Sequence, residues 1–231
     1  MSLVAATRSE LTKQFTTAIW WILAIVLVAY VGFVSSAVAA ALGASAAGVL
    51  PAERGPAVPA GDVAAAVYSS ATSVGYVFPL LIGTLVVTTE FRHRTLTPTL
   101  LAVPRRARVL VAKLIVGAIL GLAYGVLAAI AAVAPGAGIL AAFGLETGLG
   151  QSDTWAMIAR MLLASVLWTL IGVGVGSTVR NQVATIVIVL VFTQFVEPIG
   201  RVLGGLVDGL SDWLRFLPGG AADALVGSSI L

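Results

Sequence analysis

The sequence predicts an all-α fold, a polytopic membrane helical bundle with five spans in 231 residues. Composition is the first reason: 59% of the residues are hydrophobic, 10% are charged, and the mean hydropathy is +1.07. A soluble domain carries about 25% charged residues, so this chain lacks the side chains to cover a water-facing surface. The second reason is the spacing of its charges, which leaves several windows long enough for the roughly 20 apolar residues that cross about 30 Å of hydrocarbon. The third is the lack of alternation. A run such as Trp21-Ile22-Leu23-Ala24-Ile25-Val26 is not the in-out pattern of a barrel strand, and a backbone in lipid must otherwise satisfy itself as a helix.

Residues 1–17 precede the first window and read as an interfacial helix. Val4, Leu11, Phe15 and Ala18 fall on one helical side, while Ser9, Glu10, Lys13 and Thr17 face elsewhere. The spans follow at about 18–42, 70–89, 111–134, 156–177 and 181–197. The first is too long for a signal peptide's apolar region of about 7–15 residues. The fifth is expected to stop at Glu197-Pro198, because proline interrupts the helical ladder. Residues 198–231 carry Arg201, Asp208, Asp212, Arg215 and Asp223, too many charges for a span. With Val202, Leu203, Leu206, Leu210, Trp213 and Leu214 on one side, they read as an external amphipathic segment. An odd number of spans leads to the expectation of a sixth beyond residue 231.

Orientation follows from the basic residues. With the N-terminus in the cytoplasm, the inner side holds Arg8, Lys13, Arg92, Arg94, Arg105, Arg106, Arg108, Lys113 and Arg180 against Glu10 and Glu90, a net +7. The outer side then carries a net −4. The opposite orientation would put the basic 90–113 stretch outside.

Catalytic constellations are missing from the sequence. Cysteine is absent, His93 is the only histidine, and Lys13 and Lys113 are the only lysines, neither following a glycine-rich phosphate loop. No intramembrane nucleophile and base pair up, so an enzyme is not expected. The most informative segment is the 90–110 loop. Glu90 closes a span, a Thr/Leu-rich stretch lies between Pro98 and Pro104, and an arginine cluster with Lys113 opens the next span. Two readings stay open from the residues alone: a basic anchor on lipid phosphate, and a lever carrying a soluble partner's motion into the spans. Gly117, Gly121 and Gly125 form a small-residue ridge on the third span, read as helix packing. Gly172, Gly174 and Gly176 cluster on the fourth. Arg160 and Glu197, near the outer ends of adjacent spans, either pair or reach separately toward the interface.

The run Glu90-Phe91-Arg92, Thr95, Thr99-Leu100-Leu101-Ala102, Pro104, Arg106, Leu110 and Ala112-Lys113 resembles the loop between the second and third helices of ABC type-2 transporter permeases. These are the membrane subunits of bacterial ATP-binding-cassette exporters. Arg8-Ser9-Glu10-Leu11-Thr12-Lys13-Gln14-Phe15 with Trp20 is similar to that family's connecting helix, and Leu217-Pro218-Gly219-Gly220 to the segment after its external helices. The family usually has six spans. The resemblance implies a permease that exports a hydrophobic or amphiphilic substrate (drug, antibiotic or lipid-like) across the bacterial cytoplasmic membrane. It also implies a coupling element that docks on a separate ATPase subunit through Glu90, Phe91, Arg92, Arg94, Thr95, Leu96, Thr99 and Leu100. Arg8, Glu10 and Lys13 would lie on the interfacial helix beside the same partner. No cofactor is expected on this chain, with ATP and Mg on the partner subunit. The expected partners are that ATPase, a second permease protomer (identical or a paralogue) and membrane lipid, with no nucleic acid. The competing readings are a non-transporting membrane anchor or immunity subunit, and a secondary transporter independent of ATP. The latter would need intramembrane charges and inverted repeats.

Overall fold

The computed structural model describes residues 2–49, 58–93, 95, 99, 101, 105–179, 181–206 and 217–227. Among these every regular element is helical: α1 (Leu3–Phe15), α2 (Ile19–Ala46), α3 (Val63–Gly75), α4 (Val77–Arg92), α5 (Arg106–Ala142), α6 (Ser152–Thr178), α7 (Gln182–Val191), α8 (Glu197–Leu206) and α9 (Pro218–Val226). A short 3-10 turn, Ala60–Asp62, leads into α3. A π-helical turn, Phe192–Val196, joins α7 to α8. Among the described residues, five helical stretches are long and apolar enough to cross a membrane: α2, α3 with α4, α5, α6, and Gln182–Gly204.

These spans differ from the sequence expectation at their ends. α5 runs past Pro135 to Ala142, eight residues beyond the expected 134. The second span begins at Val63 and is broken at Tyr76. The fifth does not stop at Glu197-Pro198. The π turn Phe192–Val196 shifts the hydrogen-bond register immediately before Pro198, so the missing proline N–H falls where the α ladder is already interrupted. The Tyr76 hydroxyl donates to the Thr193 carbonyl at 2.9 Å and its ring stacks on Trp168 at 4.6 Å. The break in one span and the π turn in its neighbour are thus pinned to each other.

The α3–α4 span is the centre of the bundle and the most buried of the five. α4 packs against α6, α5 and α7, while α2 packs on α5 and α3. Close approach depends on absent side chains. A methyl group at Gly83 would overlap the Thr169 carbonyl, one at Gly172 the Leu80 carbonyl, and one at Gly176 the Thr84 carbonyl, so α4 and α6 cross backbone to backbone. Gly117, Gly121 and Gly125 line the α5–α6 contact, facing Val173, Thr169, Val166, Ser165 and Leu162. Gly174 meets nothing and belongs to no crossing. Buried polar side chains add fixed points. Ser35 donates to the Ala132 carbonyl at 2.8 Å and Tyr124 to the Trp20 carbonyl at 2.5 Å, satisfying hydroxyls that would be costly to leave bare in an apolar interior.

Glu197 and Arg160 serve the far end of the bundle separately. Glu197 is buried, and its Oε1 accepts the Gly219 N–H at 2.7 Å, capping the first turn of α9. Arg160 is exposed and donates back to the Ala156 carbonyl of its own helix at 3.2 Å. No ion pair joins the two among the described residues. Of the 198–231 segment, the helical parts are the rest of α8 and α9, while residues 207–216 lie outside the described residues.

Candidate functional site

The charges that the sequence scatters over four positions meet at the α1 end of the bundle. α1 starts at the Ser2 cap, whose hydroxyl accepts from the Ala5 N–H at 3.3 Å. It then lies against α5 with Ala6, Glu10 and Gln14 turned inward. Val4 and Phe15, on the apolar side expected of an interfacial helix, lie on the outer surface of the bundle, exposed at 78% and 52%, and Leu11 is half-buried against the core. The neighbouring ends of α4 and α5 present a carboxylate and an ammonium, which Glu10 and Lys13 meet, while Ala6 and Leu11 pack inward beside them.

Glu10 and Lys13 of α1, Glu90 of α4 and Lys113 of α5 form a closed ring. Lys13 Nζ lies 2.6 Å from Glu10 Oε1 and 2.8 Å from Glu90 Oε1. Lys113 Nζ lies 2.6 Å from Glu10 Oε2 and 3.0 Å from Glu90 Oε2. Each carboxylate therefore bridges both ammonium groups through separate oxygens, and the four charges sum to zero. The last pair is the weakest. Glu90 Oε2 makes no hydrogen bond of acceptable geometry, so that contact is electrostatic only. Lys113 gains a further acceptor in the Val86 carbonyl at 3.3 Å.

Burial makes the ring matter. The side chains of Glu10, Glu90 and Lys113 are 4%, 4% and 5% exposed, whereas Lys13 remains 35% exposed. Taking a charge out of water costs several kcal/mol unless it is paired, and here every charge has two opposite neighbours. Burial alone would lower the Lys13 pKa, but its hydrogen bonds to Glu10 and Glu90 outweigh that and hold it above the ordinary lysine value.

The loop joins the same ring. After α4 the chain turns with the Thr95 N–H on the Glu90 carbonyl at 3.0 Å. Thr99 accepts from Lys13 Nζ at 3.1 Å, and its single proton is shared between the Thr95 carbonyl at 2.9 Å and Glu90 Oε1 at 3.3 Å. Beside the ring is a cavity of about 190 Å³ whose lining includes Gln14, Thr17, Thr89, His93 and Thr95. Arg8 on α1, Arg92 at the end of α4 and Arg105 and Arg106 at the start of α5 are exposed.

Of the loop residues singled out in the sequence, Glu90 is buried in the ring, Phe91 is half-buried against the core, Arg92 and Thr95 are exposed, and Thr99 touches the ring. Arg94, Leu96 and Leu100 lie outside the described residues. On α1, Glu10 and Lys13 belong to the ring and Arg8 faces outward. The residue that sequence reasoning did not place in the site is Lys113, taken only as the end of the arginine cluster. The available signal was arithmetic: the chain's only two lysines and the only two acids assigned to that side of the membrane are these four residues.

Comparison with known proteins finds no match among family models, curated proteins or solved structures.

Proposed function

We propose that the chain is the permease subunit of an ATP-driven exporter of the ABC type-2 kind, moving a hydrophobic or amphiphilic substrate out across the bacterial cytoplasmic membrane, with its N-terminus inside. The observation that carries the reading is the 90–113 stretch. An acid at the end of one span and a lysine at the start of the next are tied together, and the loop between them is tied through Thr99 to an interfacial helix. A basic anchor on lipid needs neither the buried Glu90 nor the bond to Thr99. A lever needs both, because force on the loop must reach the spans through stiff, short contacts. The exposed arginines on α1 and at the neighbouring ends of α4 and α5 suit an acidic docking surface on a separate ATPase. ATP and Mg would be held by that ATPase, and a second protomer would complete the pathway.

The test is co-expression with a candidate ATPase subunit and purification through a tag on one of them. Glu90→Ala or Arg94→Glu is expected to leave the chain in the membrane while separating ATP hydrolysis from efflux. Efflux at the wild-type rate in both variants overturns the coupling role.

A further inference from the structure

The ring divides unevenly between two bodies. α1 brings Glu10 and Lys13, an (i, i+3) pair already joined at 2.6 Å. The bundle brings Glu90 and Lys113, one on α4 and one on α5, joined at 3.0 Å. Each half is a neutral ion pair in its own right. Docking sets the two pairs head to tail, acid against base, and separation strands no net charge on either side.

That distinguishes this contact from an ordinary buried salt bridge, whose opening leaves an uncompensated charge in each partner. Other features favour reversibility. Lys13 is the most exposed member of the ring, it stands beside a cavity of about 190 Å³, and the apolar residue Val4 of α1 faces outward rather than into the bundle. Thr99 touches one member of each half, accepting from Lys13 at 3.1 Å and lying 3.3 Å from Glu90 Oε1, so this residue of the loop sits on the seam.

We propose that α1 is a detachable element, docked on the bundle by the matched pairs Glu10–Lys13 and Glu90–Lys113, and that the loop controls the docking through Thr99. Undocking carries α1 away with Glu10 and Lys13 as a pair, leaves Glu90 with Lys113, and opens the cavity between them. Only the identity of whatever moves the loop rests on the proposed function. The docking is a property of this chain and is tested on it alone.

The sequence contains no cysteine, so Ser9→Cys on the exposed side of α1 and Leu110→Cys on α5 give one unique pair of spin labels. Their distance is measured in vesicles of neutral and anionic phospholipid with no ATPase present. Inverting the α1 pair (Glu10→Lys with Lys13→Glu) sets like charges against each other. The distance distribution is expected to broaden and shift outward by at least about one helical turn, ~5 Å. Inverting the bundle pair as well (Glu90→Lys with Lys113→Glu) restores the contacts and the original distance. Glu10→Gln with Lys13→Met leaves the bundle pair neutral and intact, so it separates undocking from misfolding, and it should give the same outward shift. Thr99→Val keeps all four charges and is expected to raise the undocked fraction. If α1 keeps its distance in the inverted and the neutral variants, it is held by packing alone and the docking proposal falls. If only Thr99→Val is silent, control by the loop falls. Neither result bears on whether an ATPase binds.

Discussion

Lys113 has almost no access to water, and its ammonium group is held by Glu10, Glu90 and the Val86 carbonyl. Removing that one charge leaves the buried Glu10 and Glu90 with only the half-exposed Lys13, a net negative charge. Lys113→Met should therefore cost about 3–5 kcal/mol, the usual range for breaking a buried pair from one side. Adding Glu10→Gln leaves Lys13 facing Glu90 and a neutral site, so the double variant should be more stable than Lys113→Met alone. Thermal unfolding in one detergent checks both, and a double variant less stable than the single one contradicts the ring. Lys13 gives the corresponding dependence on pH. Its folded pKa is raised above 10.5, so its contribution is fully present below the unfolded value and is lost only as pH rises through the folded one. The α1–α5 distance should hold from neutral pH up to the ordinary lysine value of 10.5 and lengthen only as pH rises beyond it. Loss of docking near neutral pH would show that some other group governs it.

At the scale of helices, stability rests on a few backbone approaches, and not every glycine serves one. Gly83, Gly172 and Gly176 form the α4–α6 crossing, where any side chain collides with a carbonyl that cannot give way. Gly172→Val should unfold the protein or prevent its accumulation. Gly174 lies two residues away in the same helix with open space around it, and Gly174→Ala should be neutral or stabilise by up to about 1 kcal/mol, since alanine is the better helix former. Unfolding midpoints of the two variants measure the contrast. The sequence showed which residues were small but not which face met another helix. Gly172, Gly174 and Gly176 read as one cluster because periodicity does not identify the neighbour. The ridge at Gly117, Gly121 and Gly125 was easier to read, since a repeat of four keeps all three on one face whatever the partner. The π turn before Pro198 was legible only as an expected stop. Proline has no N–H to give the Thr193 carbonyl, and the donor that replaces it is non-local: Tyr76, over a hundred residues earlier. Tyr76→Phe, measured by the same midpoints, should cost about 1–3 kcal/mol, the range for a buried carbonyl left without its donor.

For the whole molecule, composition and charge spacing were enough to locate five helices of membrane-crossing length, because apolar length is a local property. The ring was not legible, since it needs α1, α4 and α5 to converge, and the sequence does not show which helix ends meet. The same charges make a prediction about how the molecule sits. Arg8, Arg92, Arg105, Arg106 and Arg108 are gathered at the α1 end, while Asp62, Glu146, Asp153 and Arg160 lie toward the opposite ends of their spans. Basic residues in short loops are retained on the cytoplasmic side, and acidic residues contribute little to that choice, so the α1 end should face the cytoplasm. Because the natural sequence lacks cysteine, single substitutions report directly. In intact cells a membrane-impermeant maleimide should label Gln151→Cys, in the turn between α5 and α6, and leave Ser9→Cys unlabelled until the membrane is opened. The reverse pattern would place the arginines outside. The 90–113 loop would then be out of reach of any cytoplasmic ATPase, and the exporter reading would fail with it.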